Sequence, residues 1–194
     1  MKWISLGSTC QPAYWIRNEL KQPEAYFFDW LITPPKALVK VLEDGVNDLL
    51  LSDNLSIHHK GIRVVDDFYG LEFQHDFPED EKGLILDGYE NHISGVKEKY
   101  IRRYERFLKL FQDKSEVCFV RYGDREEAIK FLEPRLKELL GSCNAIFIFA
   151  SEHIKSEVSE GKVYKFKLPK SSDWKGDEAK WKEIISTVLS AQNL

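Results

Sequence analysis

VCFVRYGDREEAIKFLEPRLKELLGSCNAIFIF, residues 117–149, decides the fold class. Val117 to Val120 is a short apolar run of strand length, Asp124 to Leu140 mixes charges with apolar residues at helical spacing, and Ala145 to Phe149 is a second apolar run. Strand, charged crossover helix, strand is the pattern of parallel pairing through a right-handed connection. Downstream, Val163 to Leu168 predicts a further strand and Asp177 to Ala191 a closing helix. Upstream, Trp3 to Leu6 predicts a buried first strand ended by Gly7-Ser8, followed by a helix with Ala13, Ile16 and Leu20 at helical spacing. These segments predict an α/β fold: a three-layer sandwich with a mostly parallel sheet, forming one domain over residues 1–194. Strand one lies inside the sheet, beside the 117–120 or 145–149 strand, and leads into a turn at Cys10 and helix one.

Between these segments, Thr33-Pro34-Pro35 provides an N-cap and proline start for a helix carrying Leu38, Val41 and Leu42. Residues 52–88 are the least regular, with short β-like pieces at Ile62 to Val65 and Tyr69 to Phe73 between Asp, Gly and Pro. From Tyr89 to Phe111, apolar residues recur at steps of three and four and mark the longest helix.

Composition narrows the function classes. With 43% hydrophobic and 31% charged residues, the chain has the balance of a globular protein. A net charge of −4 and a pI near 5.8 offer no global attraction for phosphate backbones or anionic lipid. Neither nucleic acid nor a membrane is therefore an expected partner. The arginines and lysines of residues 97–109 are interrupted by Glu98 and Glu105 and backed by an apolar stripe, as on a solvated helix face. The N-terminus lacks the run of about 7–15 apolar residues of a secretory signal, and no segment approaches the ~20 of a membrane span. Cys10, Cys118 and Cys143 form no close-spaced pair, and their odd number argues against a disulfide framework. A reducing cytoplasm is the expected location. Oligomeric state is not legible.

Cys10 is the sharpest chemical signal. Pro12 tolerates only the first turn of a helix, so the helix begins at Gln11 or Pro12 and leaves Cys10 in the turn before it. Such a turn stands at the carboxyl edge of an open α/β sheet, where ligands gather. The helix start is expected to lower the thiol pKa, and amides around Gly7, Ser8, Thr9 and Gln11 to hold a developing oxyanion.

A thiol nucleophile needs a base. His75, set among aromatics in Phe73-Gln74-His75-Asp76-Phe77, is the strongest candidate of five histidines; a half-buried histidine bonded to backbone is the bland alternative. His58-His59 reads as a solvated loop, and His92 and His153 as structural. No ligand cluster of zinc spacing accompanies them, so no metal is expected. Asp29, between Phe28 and Trp30, is costly to bury without a partner and is the candidate for orienting His75; Asp76 adjoins His75 but points to the opposite face of an extended segment. The alternative for Asp29 is a carboxylate capping a turn. Gly7-Ser8 after a strand matches neither nucleotide-loop pattern, and no cofactor is expected.

Taken together, Ile4-Ser5-Leu6-Gly7-Ser8-Thr9-Cys10, Tyr26-Phe27-Phe28-Asp29-Trp30 and Phe73-Gln74-His75-Asp76-Phe77 resemble a bacterial family of uncharacterised proteins described as papain-like cysteine peptidases. Arg103-Tyr104 before Phe107, Phe119-Val120-Arg121, and Trp174-Lys175-Gly176-Asp177 ahead of Trp181 extend the likeness over most of the chain. The resemblance implies a nucleophile at Cys10 and a base at His75, in the Cys-then-His order of papain-like enzymes, which carry the histidine on a separate β-rich lobe.

The leading expectation is a cysteine-dependent hydrolase or acyl transferase acting on a small-molecule or peptide substrate. A serine esterase using Ser8 would want an Asp-x-x-His block near the C-terminus, which is missing. From another class comes a non-catalytic sugar or nucleotide-sugar binding module of bacterial surface-polysaccharide pathways, with Tyr26, Phe28 and Trp30 as an aromatic platform.

Overall fold

A computed structural model describes residues 1–112, 116–141, 144–159 and 162–192. Five strands form the main sheet, in the order β1 (Lys2–Ser5), β6 (Glu116–Tyr122), β7 (Asn144–Ser151), β9 (Val163–Lys167) and β8 (Glu157–Ser159). The first four are parallel, and β8 returns antiparallel along β9. A smaller antiparallel sheet has the order β2 (Leu31–Ile32), β5 (Leu71–Phe73), β4 (Arg63–Asp66) and β3 (Leu55–His58).

The pleat sorts the main sheet's side chains into two cores. Ile4, Val117, Phe119, Ala145, Phe147 and Phe149 share one core with α2 (Pro35–Asp44), α3 (Ile93–Gln112) and α4 (Glu126–Leu140). Trp3, Cys118, Val120, Ile146, Ile148 and Ala150 pack on the other face against α1 (Gln11–Glu19) and α5 (Glu178–Gln192). Helices on both faces of a mostly parallel sheet make the predicted three-layer sandwich. Val64, Leu71 and Phe73 join the small sheet to the first core.

Strand β1 is at the sheet's edge, not inside it. It pairs with β6, the 117–120 strand, and its free edge is closed by a side chain: Trp3 N–H donates to Gln22 Oε1 at 3.1 Å and Gln22 Nε2 donates to the Trp3 carbonyl at 2.7 Å. One glutamine thus does the pairing of a neighbouring strand and blunts an edge open to another chain. The helix predicted from Tyr89 begins as a 3₁₀ turn over Tyr89–His92. No helix among the described residues is long and apolar enough to cross a membrane. Cys10 and Cys118 are free and buried; Cys143, expected beside a core strand, lies outside the described residues.

Candidate active site

The chain leaves β1 through a turn that tolerates little change. Gly7 has φ +76°, and a side chain there would overlap that of Thr33. Ser8, also left-handed at φ 69°, donates its hydroxyl to the Tyr122 carbonyl at the end of β6. Arg121, 1% exposed, binds the turn from below: Nη1 donates to the Leu6 carbonyl at 2.8 Å, Nη2 to the Thr33 carbonyl at 2.9 Å, and Nε to Asp124 at 2.5 Å. Cys10 then caps α1, its carbonyl accepting the Tyr14 N–H at 3.0 Å, and Pro12 occupies the first turn. The amides of Ser8, Thr9 and Cys10 have no partner among the described residues, whereas that of Gln11 reaches Thr9 Oγ1 at 3.3 Å.

Cys10 opens into a cleft of about 670 Å³. Thr9 and Gln11 line it beside the thiol, Tyr122 ends β6, Glu152 follows β7, and Lys170, Ser171, Asp173 and Trp174 follow β9, so this wall is the carboxyl edge of the parallel sheet. The rest of the lining comes from the small sheet, through Ile32 and Arg63, and from the bend after β5, through Gln74 and His75. A cysteine at a helix start thus shares one cleft with a histidine carried just past the end of a strand of the small antiparallel sheet. His75 is exposed and makes no hydrogen bond to a described residue. Gly7 and Ser8, expected to bind substrate, are absent from the lining and hold the turn instead. The engagement of Ser8 by the Tyr122 carbonyl likewise removes it from the role of an esterase nucleophile.

The thiol is held in its protonated form. Sγ is 3.9 Å from the Trp30 carbonyl, to which it donates. Burial, then the negative charge of Asp76, push the Cys10 pKa up, and only Arg63 pulls it down. The expectation of a lowered thiol pKa is corrected: enclosure and the nearby Asp76 charge raise it.

Asp29 does not meet His75. It lines a separate, small crevice with Ala13, Ile16 and Trp30, and its carboxylate accepts the Tyr26 N–H at 2.9 Å. It caps the Tyr26–Asp29 turn, and burial raises its carboxyl to about 7 against the pull of the Tyr26 amide, Arg103, Arg17 and Arg106. The turn carries Trp30, left-handed at φ 69°, whose carbonyl meets Cys10. Asp76, beside His75, is bound by Lys99 and by the Tyr100 hydroxyl at 2.9 Å, which ties the histidine's segment to α3. No hydrogen bond joins His75 to an acid among the described residues.

The aromatic platform is also corrected. Tyr26 and Phe28 are buried in the core, Phe28 edge-on to Phe27 and Phe107, and the Trp30 ring is half-buried away from the cleft. The aromatic groups that line the cleft are Tyr122 and Trp174, the latter 56% exposed. Its loop docks on α1: Gln11 Nε2 donates to the Trp174 carbonyl at 2.8 Å and Trp15 Nε1 to that of Lys175 at 2.5 Å. No group of His, Cys, Asp and Glu suited to a metal occurs among the described residues. His58 and His59 are exposed beside Asp67 and Glu72.

Residues 1–147 match the family described as "Putative papain-like cysteine peptidase". The chain belongs to that family. Over an alignment of 218 residues it is 26% identical to an uncharacterised protein, R408, of Acanthamoeba polyphaga mimivirus, covering 94% of this chain and 96% of the viral one. That relative is viral, so the bacterial distribution expected from the resemblance gains no support from it. No solved structure matches. The family match includes the turn at Cys10, the small sheet and His75, and stops short of the loop bearing Trp174.

Proposed function

We propose that the protein is a cysteine-dependent hydrolase or acyl transferase in which Cys10 is the nucleophile and His75 the base. The observation that carries this reading is the cleft itself, whose lining holds both a thiol at a helix start and a histidine in the bend that follows β5. In the resting protein the thiol donates to Trp30. When substrate enters, His75 takes that proton and Cys10 sulfur bonds to the substrate's carbonyl carbon. The unpaired amides of Thr9 and Cys10, both residues of the cleft lining, are the donors available to the oxyanion. The amide, ester or thioester bond breaks as the proton passes from His75 to the leaving group, and water or an acceptor then takes the acyl group from sulfur. Asp29 contributes by setting the turn that aims the Trp30 carbonyl at the thiol.

The test is a search for the acyl-enzyme. After incubation with an activated acyl ester, peptide mapping by mass spectrometry should place the acyl group on Cys10, and the Cys10→Ser protein should lose the adduct. Acylation spread over lysines with Cys10 unmodified would contradict the reading. A sugar-binding module is the weaker alternative, because two of its three platform aromatics are core and the third, Trp30, is outside the cleft lining.

A further inference from the structure

The arginine in the wall of this cleft is bonded unlike the enclosed arginine beneath it. Arg121 uses Nε, Nη1 and Nη2, reaching Asp124, Leu6 and Thr33. Arg63, at the start of β4, gives only Nη1, to Glu72 Oε2 at 2.7 Å. Its Nε is enclosed without a partner, and Nη2 has none among the described residues. Guanidinium and carboxylate commonly pair through two parallel bonds, so half of this fork is unused. Glu72 is meanwhile shared with His59 at 3.2 Å.

Arg63 lines the cleft on the side of His75, and its charge is felt by the Cys10 thiol. Lys170, in the same lining, also forms no ion pair among the described residues. Of the nearby acids, Asp76 is occupied by Lys99 and Tyr100, Asp173 accepts the Lys175 amide at 2.9 Å, and Glu152 lies 3.6 Å from His153. Arg63 and Lys170 therefore keep donor capacity that no described residue takes up.

We propose that Arg63 recognises a carboxylate on the substrate and holds it beside Cys10. The inference rests on the proposed nucleophile and narrows its substrates to acyl compounds with a carboxylate close to the bond that breaks, such as a peptide's terminal residue or an acylated amino acid.

Two alkylating agents of nearly the same shape test this without knowledge of the substrate. Iodoacetate and iodoacetamide both form a bond from Cys10 sulfur to a methylene carbon, release iodide and leave the thiol proton to base; only one carries a carboxylate. With each rate divided by that for 2-mercaptoethanol, Cys10 should favour iodoacetate by roughly tenfold at low ionic strength, the scale of a charged hydrogen bond. The preference should shrink with salt, vanish in Arg63→Gln and fall between the two in Arg63→Lys. In the wild-type protein, butyrate should protect Cys10 from iodoacetamide where butyramide does not, which decides the matter even if Arg63→Gln does not fold. Equal normalised rates, a preference that survives in folded Arg63→Gln, or equal protection by butyrate and butyramide would overturn the proposal. Acylation of Cys10 by a neutral ester would then still stand, so failure here is separable from failure of the nucleophile assignment.

Discussion

Asp29 shows what a single residue's neighbours in sequence can and cannot reveal. Its place between Phe28 and Trp30 marks it as enclosed and in need of a partner, and both hold; the partner is the Tyr26 amide, not His75. Sequence gives the environment of a side chain more readily than its direction, because the direction is set by a turn with a left-handed residue, Trp30, that no glycine announces. The raised carboxyl has a consequence for stability. Native Asp29 holds its proton up to about 7, whereas the unfolded chain loses it near the ordinary value of 3.8. Between these values the unfolded state binds fewer protons, so stability falls as pH rises. Asp29→Asn keeps an oxygen to accept the Tyr26 N–H and removes the titration. It should flatten the fall between pH 4 and 7 and make the protein more stable at pH 8, on the order of 2 kcal/mol. Urea midpoints across that range measure it; a variant less stable than wild type at pH 8 would show that the charged form is the favoured one.

At the scale of elements, helices and parallel strands were legible from periodicity to within a few residues, and the small sheet only in part. Strand β3 (Leu55–His58) has no fully buried residue and β2 is two residues long, so neither carries an alternating pattern. The wall formed by Lys170 to Trp174 was invisible as such, because it meets Cys10 across more than 150 residues of chain, although the Trp174-Lys175-Gly176-Asp177 match flagged the segment. Gly176 is what lets the loop dock. It has φ +79°, and a Cβ there would lie 2.7 Å from the Gln11 side chain. Gly176→Ala should therefore break the Gln11–Trp174 bond, cost about 1–3 kcal/mol and free the loop. Faster tryptic cleavage at Lys170 or Lys175 is the expected outcome; an unchanged digestion pattern would mean the loop docks by other contacts.

Across the whole molecule, Arg121 fastens the cleft together. Its guanidinium joins the end of β1, the Thr33 carbonyl after β2 and the β6–α4 connection through Asp124, with the arginine side chain itself 1% exposed. That a strand residue in a resembling motif would do this was not readable, since the clamp unites segments 88 and 115 residues away. Removing one partner of a buried ion pair leaves the other charge uncompensated, so Arg121→Met should lose about 3–5 kcal/mol. Adding Asp124→Leu should recover part of that loss, and a chemical-denaturation double-mutant cycle reads the coupling. Additive losses would mean that the two side chains act independently.

The central claim is that Cys10 reacts through His75. Because the resting thiol is protonated and its pKa is raised, the two proteins that separate the possibilities are wild type and His75→Ala, acylated by the same activated ester from pH 6 to pH 10. The rate at which the acyl group appears on Cys10 should be about 100-fold higher in wild type at pH 7, the contribution of a positioned base. The difference should close at the alkaline end, where the thiolate forms without help. Profiles that superimpose over the whole range, in a His75→Ala protein with wild-type stability, would contradict the account.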